Sequence, residues 1–248
     1  KHWIENVGCE WTELSKDEVF EIEPALNKEK KVAGGIYTES DASGDIHKYC
    51  IDLSRVLSSK YGVKFRFNEK VKDINGTSFP IISTDKEDIP FDKVVICAGV
   101  KTQEFRNKFR DNFRIYPVKG YSITIDLDDE ISKSAAPHVS IKDDHNKIVS
   151  SRLGNRLRVA GTAELAGENK EVREERITPL IEWVNNCFPE VNTENIITWA
   201  GLRPMTSDMV PIMRESKRKN VFYNSGHGHL GWTMGAFAGK FISDLIED

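Results

Sequence analysis

A strand-like run over residues 221–224 leads into Gly226, His227, Gly228, His229, Leu230 and Gly231, and an apolar helical pattern follows. A glycine-rich turn between a strand and a helix start presents unpaired backbone N–H groups beside the positive end of a helix dipole. That setting suits an anionic cofactor group. Gly226, Gly228 and Gly231 satisfy G-x-G-x-x-G, but the fingerprint reads a dinucleotide only inside a βαβ unit with an acidic residue about 20 positions further on. Here 17 residues follow Gly231, so the match is not a Rossmann fingerprint. His227 and His229 are two nitrogen ligands with no third in view, and no metal site is expected. The sequence contains no G-x-S-x-G elbow and no Walker-type phosphate loop, so hydrolase and nucleotide-kinase readings find no support.

The elements that must position this turn can be read from the patterning. Ser15 and Glu18 form a capping box that starts a short acidic helix, which Pro24 helps to end. Ile46, Tyr49, Cys50, Leu53, Val56 and Leu57 recur at helical spacing as far as Gly62, which predicts one amphipathic helix of about four turns. Residues 63–67 read as a strand, Asn75-Gly76 as a tight turn, and residues 94–99 as a fully buried strand ending on small residues. A strand, helix, strand order of this kind belongs to an α/β layer architecture.

The character changes after about Val100. Tyr121, Ile123, Ile125 and Leu127 alternate with Ser122, Thr124 and Asp126, the period of a half-buried antiparallel strand. Two further runs flank Gly154-Asn155, the chemistry of a tight hairpin. A helical stretch over 171–188 contains Pro179, marking either a kink or a fresh start capped by Thr178. The fold class expected is therefore mixed α/β. Residues 1–100 supply part of one domain, residues 101–200 an inserted and mainly antiparallel domain, and residues 201–248 a return to the first.

Composition places the chain among ordinary globular proteins, and 35 basic against 39 acidic residues give no electrostatic case for nucleic acid. No apolar stretch approaches the roughly 18 residues of a membrane span. Cys9, Cys50, Cys97 and Cys187 lie far apart without a C-x-x-C pair and read as reduced and mostly buried, in keeping with a cytoplasmic setting. Cys97, within the buried strand, reads as structural. The sequence opens on Lys1 and a polar stretch containing tryptophan, which predicts a fragment or processed piece of a longer protein.

Four separated segments, residues 117–124, 152–164, 201–208 and 226–234, resemble in order the D-amino-acid dehydrogenase branch of the FAD-dependent amino-acid oxidase family, which also includes glycine and sarcosine oxidases. The resemblance spans essentially the whole chain. Members of that family open with a βαβ unit carrying the true G-x-G-x-x-G, and no segment here carries one. The fold implied is a partial FAD-binding domain with an inserted substrate domain. Val71 matches the valine whose backbone reads the adenine edge, and Ala98 and Gly99 match small residues at which a strand end approaches the cofactor. Gly226, His227, Gly228, Leu230, Gly231, Trp232 and Thr233 match the loop and helix start over the flavin pyrimidine. Arg203 matches the arginine that clamps the substrate carboxylate, a task suited to a planar bidentate donor. Tyr121 is a second candidate on the substrate side. Relatives often carry a tyrosine before the lysine near the hairpin, whereas Asn146 precedes Lys147 here.

The activity implied is oxidative deamination of D-amino acids to 2-oxo acids and ammonia by hydride transfer to FAD, with no obligatory side-chain base. A dehydrogenase of this kind passes electrons to a membrane acceptor, which implies association with the inner face of the membrane. A separate N-terminal chain, or self-association, would complete the fold. Two other readings stand beside this one: a non-catalytic remnant that binds no flavin alone, and an amine oxidase of the glycine or sarcosine type. At the residue level Arg203 could serve a salt bridge, the glycine turn could be a plain helix entry, and Tyr121 and Trp232 could be packing residues.

Overall fold

The computed structural model of the chain describes residues 10–247, so Cys9 and the opening stretch lie outside the described residues. The chain forms two compact units. The first comprises Lys1–Asp45, Gly120–Ala163 and Lys170–Gly201, and the second Ile46–Lys119, Glu164–Asn169 and Leu202–Asp248. Each is therefore assembled from separated stretches of chain. This grouping differs from cuts at residues 100 and 200, because the described residues up to Asp45 join the antiparallel unit. Asn27 N–H donates to the Cys187 carbonyl at 2.7 Å, and the buried Glu23 carboxylate accepts the N–H groups of His138 and Val139.

In the first unit a short hairpin of β1 (Thr12–Leu14) and β2 (Gly35–Tyr37) flanks helix α1 (Lys16–Ile22). The expected capping box starts that helix, with Ser15 Oγ accepting the Glu18 N–H and the Glu18 carboxylate accepting the Ser15 N–H. The main sheet has five strands, named here with the intervening helices in chain order. They are β7 (Tyr116–Asp126), α4 (Glu130–Ala135), β8 (Ile141–Asp143), β9 (Ile148–Leu153), β10 (Arg156–Glu164), α5 (Glu174–Cys187) and β11 (Ile196–Met205), with spatial order β11-β7-β10-β9-β8. Gly154-Asn155 makes the two-residue turn of the β9–β10 hairpin, with Gly154 at φ 65°. Tyr121, Ile123 and Ile125 of β7 join Leu157, Val159, Leu180, Val184 and Phe188 in one core, so alternation sends Ser122, Arg158 and their neighbours to the opposite face. Helix α5 runs through Pro179, whose neighbour Thr178 bonds the Glu174 carbonyl in the turn behind it, so no new helix starts there.

In the second unit, helix α2 (Ile46–Tyr61) ends at Gly62, φ 68°, as its spacing predicts. Two small sheets follow. One is antiparallel, β3 (Val71–Asn75), β4 (Ile81–Thr84) and β5 (Asp88–Pro90). The other joins β6 (Val94–Ile96), β12 (Ile212–Glu215) and β13 (Val221–Ser225) in the order β12-β13-β6. Between β6 and β7 lie a 3₁₀ turn, Gly99–Lys101, and α3 (Thr102–Phe109), and α6 (Gly231–Glu247) closes the chain. Ile74, Val94, Ile96, Phe113, Ile115, Val221 and Tyr223 form the core of this unit. One carboxylate pins it: Asp111 accepts hydrogen bonds from Ser216 Oγ, the Lys217 N–H and the Tyr223 hydroxyl at 2.6, 2.9 and 2.8 Å.

Several expectations are corrected. Residues 63–67 are not a strand: Phe65 and Phe67 are exposed and stack on each other at 5.6 Å, with no ladder to join. The buried strand stops at Ile96, leaving Cys97 and Ala98 exposed, because only Val94 and Ile96 point into the core. Of the three described cysteines only Cys187 is buried, so "mostly buried" does not hold. Asn75-Gly76 opens a loop of five residues rather than a tight turn, with Asn75 paired to Ile81.

Candidate functional site

The candidate site is built on a parallel pair of strands in the second unit. β13 runs parallel to β6 in the register Val221↔Val94, Phe222↔Val95, Tyr223↔Ile96, so both strands end at the same edge. Ligands of open α/β sheets bind beyond that edge, where backbone N–H groups are not committed to a ladder. The glycine turns found in the sequence leave there: Gly99 at φ 56° after β6, and Gly226 and Gly228 at φ 78° and 56° after β13. The two turns are fastened together. Ser225 Oγ donates to the Gly99 carbonyl at 3.2 Å, and the buried Thr102 Oγ1 bonds Ser225 Oγ at 2.9 Å.

Arg203 is brought to the same loop by its own strand. Gly228 N–H donates to the Pro204 carbonyl at 3.0 Å, and Met205 forms a single antiparallel bridge with His227. Leu230 N–H then closes on the His227 carbonyl at 3.0 Å and the chain enters α6. Side chains are excluded here for a steric reason. A Cβ on Gly226 would meet Thr206 Cγ2 at 2.9 Å, and one on Gly228 would meet Met205 Sδ at 2.7 Å, besides the strain of a left-handed backbone. By helix geometry the N–H groups of Gly231, Trp232 and Thr233 have no carbonyl inside α6 to bind. They are the donors this loop can offer to an anion.

His227 Nε2 is buried without a hydrogen-bond partner, as are Thr206 Oγ1 and Asn224 Oδ1 on adjoining positions. Buried polar atoms of this kind call for a ligand or ordered water. Burial pushes the His227 pKa below its ordinary value, so its imidazole is neutral at neutral pH. Burial also lowers the Arg203 pKa, and its guanidinium keeps its charge. The glycine cradle, the helix start and the unpartnered polar atoms fit the ring and phosphate chemistry of a flavin dinucleotide.

The remaining candidates fall elsewhere. Val71 begins β3, is exposed, and pairs with Thr84 at a register shift. Leu230 and Trp232 are exposed, with the Trp232 ring edge-on to Tyr49 of α2 at 5.2 Å. Tyr121 belongs to the first unit, 1% exposed in its core. Asn146 is occupied by its own turn, donating through N–H and side chain to Asp143. Thr102, Ser225 and Thr206 were not found from the sequence. Thr102 and Ser225 are 123 residues apart, and nothing local marks either as the other's partner.

Because the loop presents backbone donors, His227→Ala and His229→Ala are each expected to slow flavin reduction by less than roughly 100-fold, the lower end of what a proton-transferring side chain contributes. Stopped-flow reduction of the FAD-loaded complete enzyme measures this, and a loss near 10⁴-fold would contradict a backbone role.

Residues 2–245 match the family described as DAO, FAD dependent oxidoreductase. D-amino acid dehydrogenase 3 of Mesorhizobium japonicum is 46% identical over 244 residues, covering 96% of this chain and 58% of that protein. D-amino acid dehydrogenase of Vibrio vulnificus is 36% identical over 247 residues, covering 98% and 58%. Among solved structures, glycine oxidase from Geobacillus kaustophilus superposes with a TM-score of 0.87 at 22% identity, over 99% of this chain and 65% of that one. L-proline dehydrogenase from P. horikoshii gives 0.83 at 17% identity, over 98% and 66%. The structural likeness shows the fold, and the chain spans less than two thirds of the length of each of these proteins.

Proposed function

The chain belongs to the DAO family of FAD-dependent oxidoreductases, and from that premise we propose that it forms the flavin-facing and substrate-binding portion of an enzyme that oxidatively deaminates D-amino acids. The observation that carries this reading is the glycine loop of 226–231, held beside the end of the β6/β13 pair and bonded to Pro204 next to Arg203. The identities of 46% and 36% to D-amino acid dehydrogenases favour a D-amino acid over glycine or a secondary amine as substrate.

The chemistry supplied by FAD when bound is acceptance of a hydride from the substrate α-carbon. The imino acid product then takes up water and yields a 2-oxo acid and ammonia. Arg203 contributes a charge-assisted, two-pronged hold on the substrate carboxylate, which fixes the α-carbon and so replaces a random encounter with a set geometry. The start of α6 offers N–H groups and a positive dipole end toward negative charge that develops during reduction. Gly226 and Gly228 keep side chains out of the space between these donors and their target. The 3₁₀ turn at Gly99 and the β3 strand at Val71 are the further positions we assign to the cofactor.

Anaerobic mixing of the FAD-loaded complete enzyme with D-alanine or L-alanine tests the reading. Flavin absorbance is expected to bleach with the D-enantiomer and persist with the L. Bleaching by L-alanine alone, or by no amino acid, would overturn it. We also infer that the reduced enzyme passes electrons to an acceptor at a membrane surface. No helix among the described residues is long and apolar enough to cross a membrane.

A further inference from the structure

Helix α5 ends on Cys187, a thiol with no exposed surface, and the segment that follows α1 brings an amine to it. Lys30 Nζ lies 2.9 Å from Cys187 Sγ. Both residues belong to the first unit, although 157 positions separate them in sequence. The glycine loop and Arg203 belong to the second unit, and the reaction proposed above leaves this pair without a task.

The contact is held from both sides. Asn27 donates through its N–H to the Cys187 carbonyl and through Nδ2 to the Asn186 carbonyl, and the Lys30 N–H closes on the Asn27 carbonyl at 3.0 Å. These bonds fix the backbone on which Lys30 stands against the last turn of α5. The side chain is aimed as well. Its ammonium sits 5.8 Å from the Trp183 ring centroid, and the Trp183 indole N–H is itself anchored to Asp143 Oδ2 at 2.8 Å. Burial pushes the Cys187 thiol pKa up, and the Lys30 charge beside it pulls the other way. A cavity of about 390 Å³, lined in part by Asn27, His138, Phe188 and Glu190, opens at this end of α5.

We propose that Cys187 and Lys30 are a modification site for hydrogen peroxide, which joins them as a sulfenamide and so staples the segment after α1 to the end of α5. In the first step the sulfur attacks the peroxide and the O–O bond breaks. One oxygen stays on sulfur as a sulfenic acid and the other leaves as water, so sulfur gives up two electrons and the peroxide takes them. In the second step Lys30 Nζ attacks the oxidised sulfur, forming an S–N bond as the S–O bond breaks. The hydroxyl leaves as water with one ammonium proton, and a second proton passes to solvent. One peroxide is consumed and the chain ends two hydrogens lighter. Nitrogen and sulfur already stand within the roughly 3–3.5 Å of a near-attack arrangement. The bond protects the sulfur from further oxidation to sulfinic acid, and it is reversible: a thiol attacks the sulfur and frees the amine, and a second thiol returns Cys187 to its reduced form.

Peptide mapping of the FAD-loaded complete enzyme tests the proposal. After hydrogen peroxide, the peptide carrying Lys30 should be joined to the one carrying Cys187, two hydrogens lighter than their sum. Tryptic cleavage after Lys30 should be lost, and dithiothreitol should restore it. Lys30→Arg keeps the charge but removes the amine, so its Cys187 should gain oxygen instead of a partner. A second readout is the urea midpoint of unfolding. A bond that closes so long a loop should raise it, and the rise should vanish with dithiothreitol and be missing in Lys30→Arg. Recovery of Cys187 as a free thiol after treatment, or as sulfinic acid with Lys30 still cleaved, overturns the proposal. So does a two-hydrogen loss at Cys187 that persists in Lys30→Arg.

Discussion

Replacing Arg203 by alanine in the FAD-loaded complete enzyme is expected to cost about 2–5 kcal/mol in kcat/KM, or roughly 30-fold to several thousand-fold, as a buried carboxylate loses its charged partner. The loss should appear in KM and kcat together, because the same contact binds the substrate and orients its α-carbon. Arg203→Lys should recover only part of it, since an ammonium cannot reproduce a planar two-pronged contact. The loop itself should survive, as its bonds are made by the backbone of Pro204, Met205, His227 and Gly228 rather than by the guanidinium. Unchanged steady-state kinetics in Arg203→Ala would remove the carboxylate assignment.

The chain by itself is expected to purify colourless and to self-associate, and to take up FAD once a dinucleotide-binding βαβ segment is supplied. Both expectations follow from surfaces of the second unit. Helix α2 has no buried residue along its length, and Ile46, Tyr49, Leu53 and Val56 are exposed on it. Phe237 and Phe241 of α6 are exposed as well, although Ala238 and Ile242 of the same helix are buried. Among the described residues β6 is the outer strand of its sheet, paired to β13. Apolar patches and an open strand edge both favour association with another copy or another chain. An absorption spectrum and a sedimentation profile check the two parts. A stable yellow complex at equal FAD and protein, or a dilute monomer without added segment, would contradict them.

What the sequence made legible was local. The Ser15 capping box, the helix from Ile46 to Gly62, the alternation through Tyr121 and the Gly154-Asn155 turn all express periodicity or turn chemistry within a few residues. What escaped depended on partners far along the chain. Residues 63–67 have a strand-like composition, but a strand exists only where another offers a ladder. Pro179 sits inside α5 because Ile177, Leu180, Trp183 and Val184 bury one continuous face, and packing outweighs the lost hydrogen bond. The stretch from Glu10 to Asp45 joins the antiparallel unit through Glu23 and Asn27, whose bonds reach across more than 100 positions.

The same division holds for the site. The glycines at 99, 226, 228 and 231 could be found because they are glycines at strand ends. Thr102 and Ser225 could not, since a hydroxyl in a sequence does not announce which distant hydroxyl it meets.

With the two turns assigned to FAD as proposed, the bond between Ser225 and Gly99, backed by Thr102, has a consequence for how fast the cofactor is captured. Two turns that hang from adjacent parallel strands and are tied at their base have already given up their conformational freedom during folding. Encounter with FAD then requires no loop closure, and the association rate should follow diffusion and charge rather than a slow rearrangement. Cutting the tie with Ser225→Ala would leave the same donors in the chain but return disorder to them, so the cofactor would arrive more slowly at a site whose chemistry had not changed.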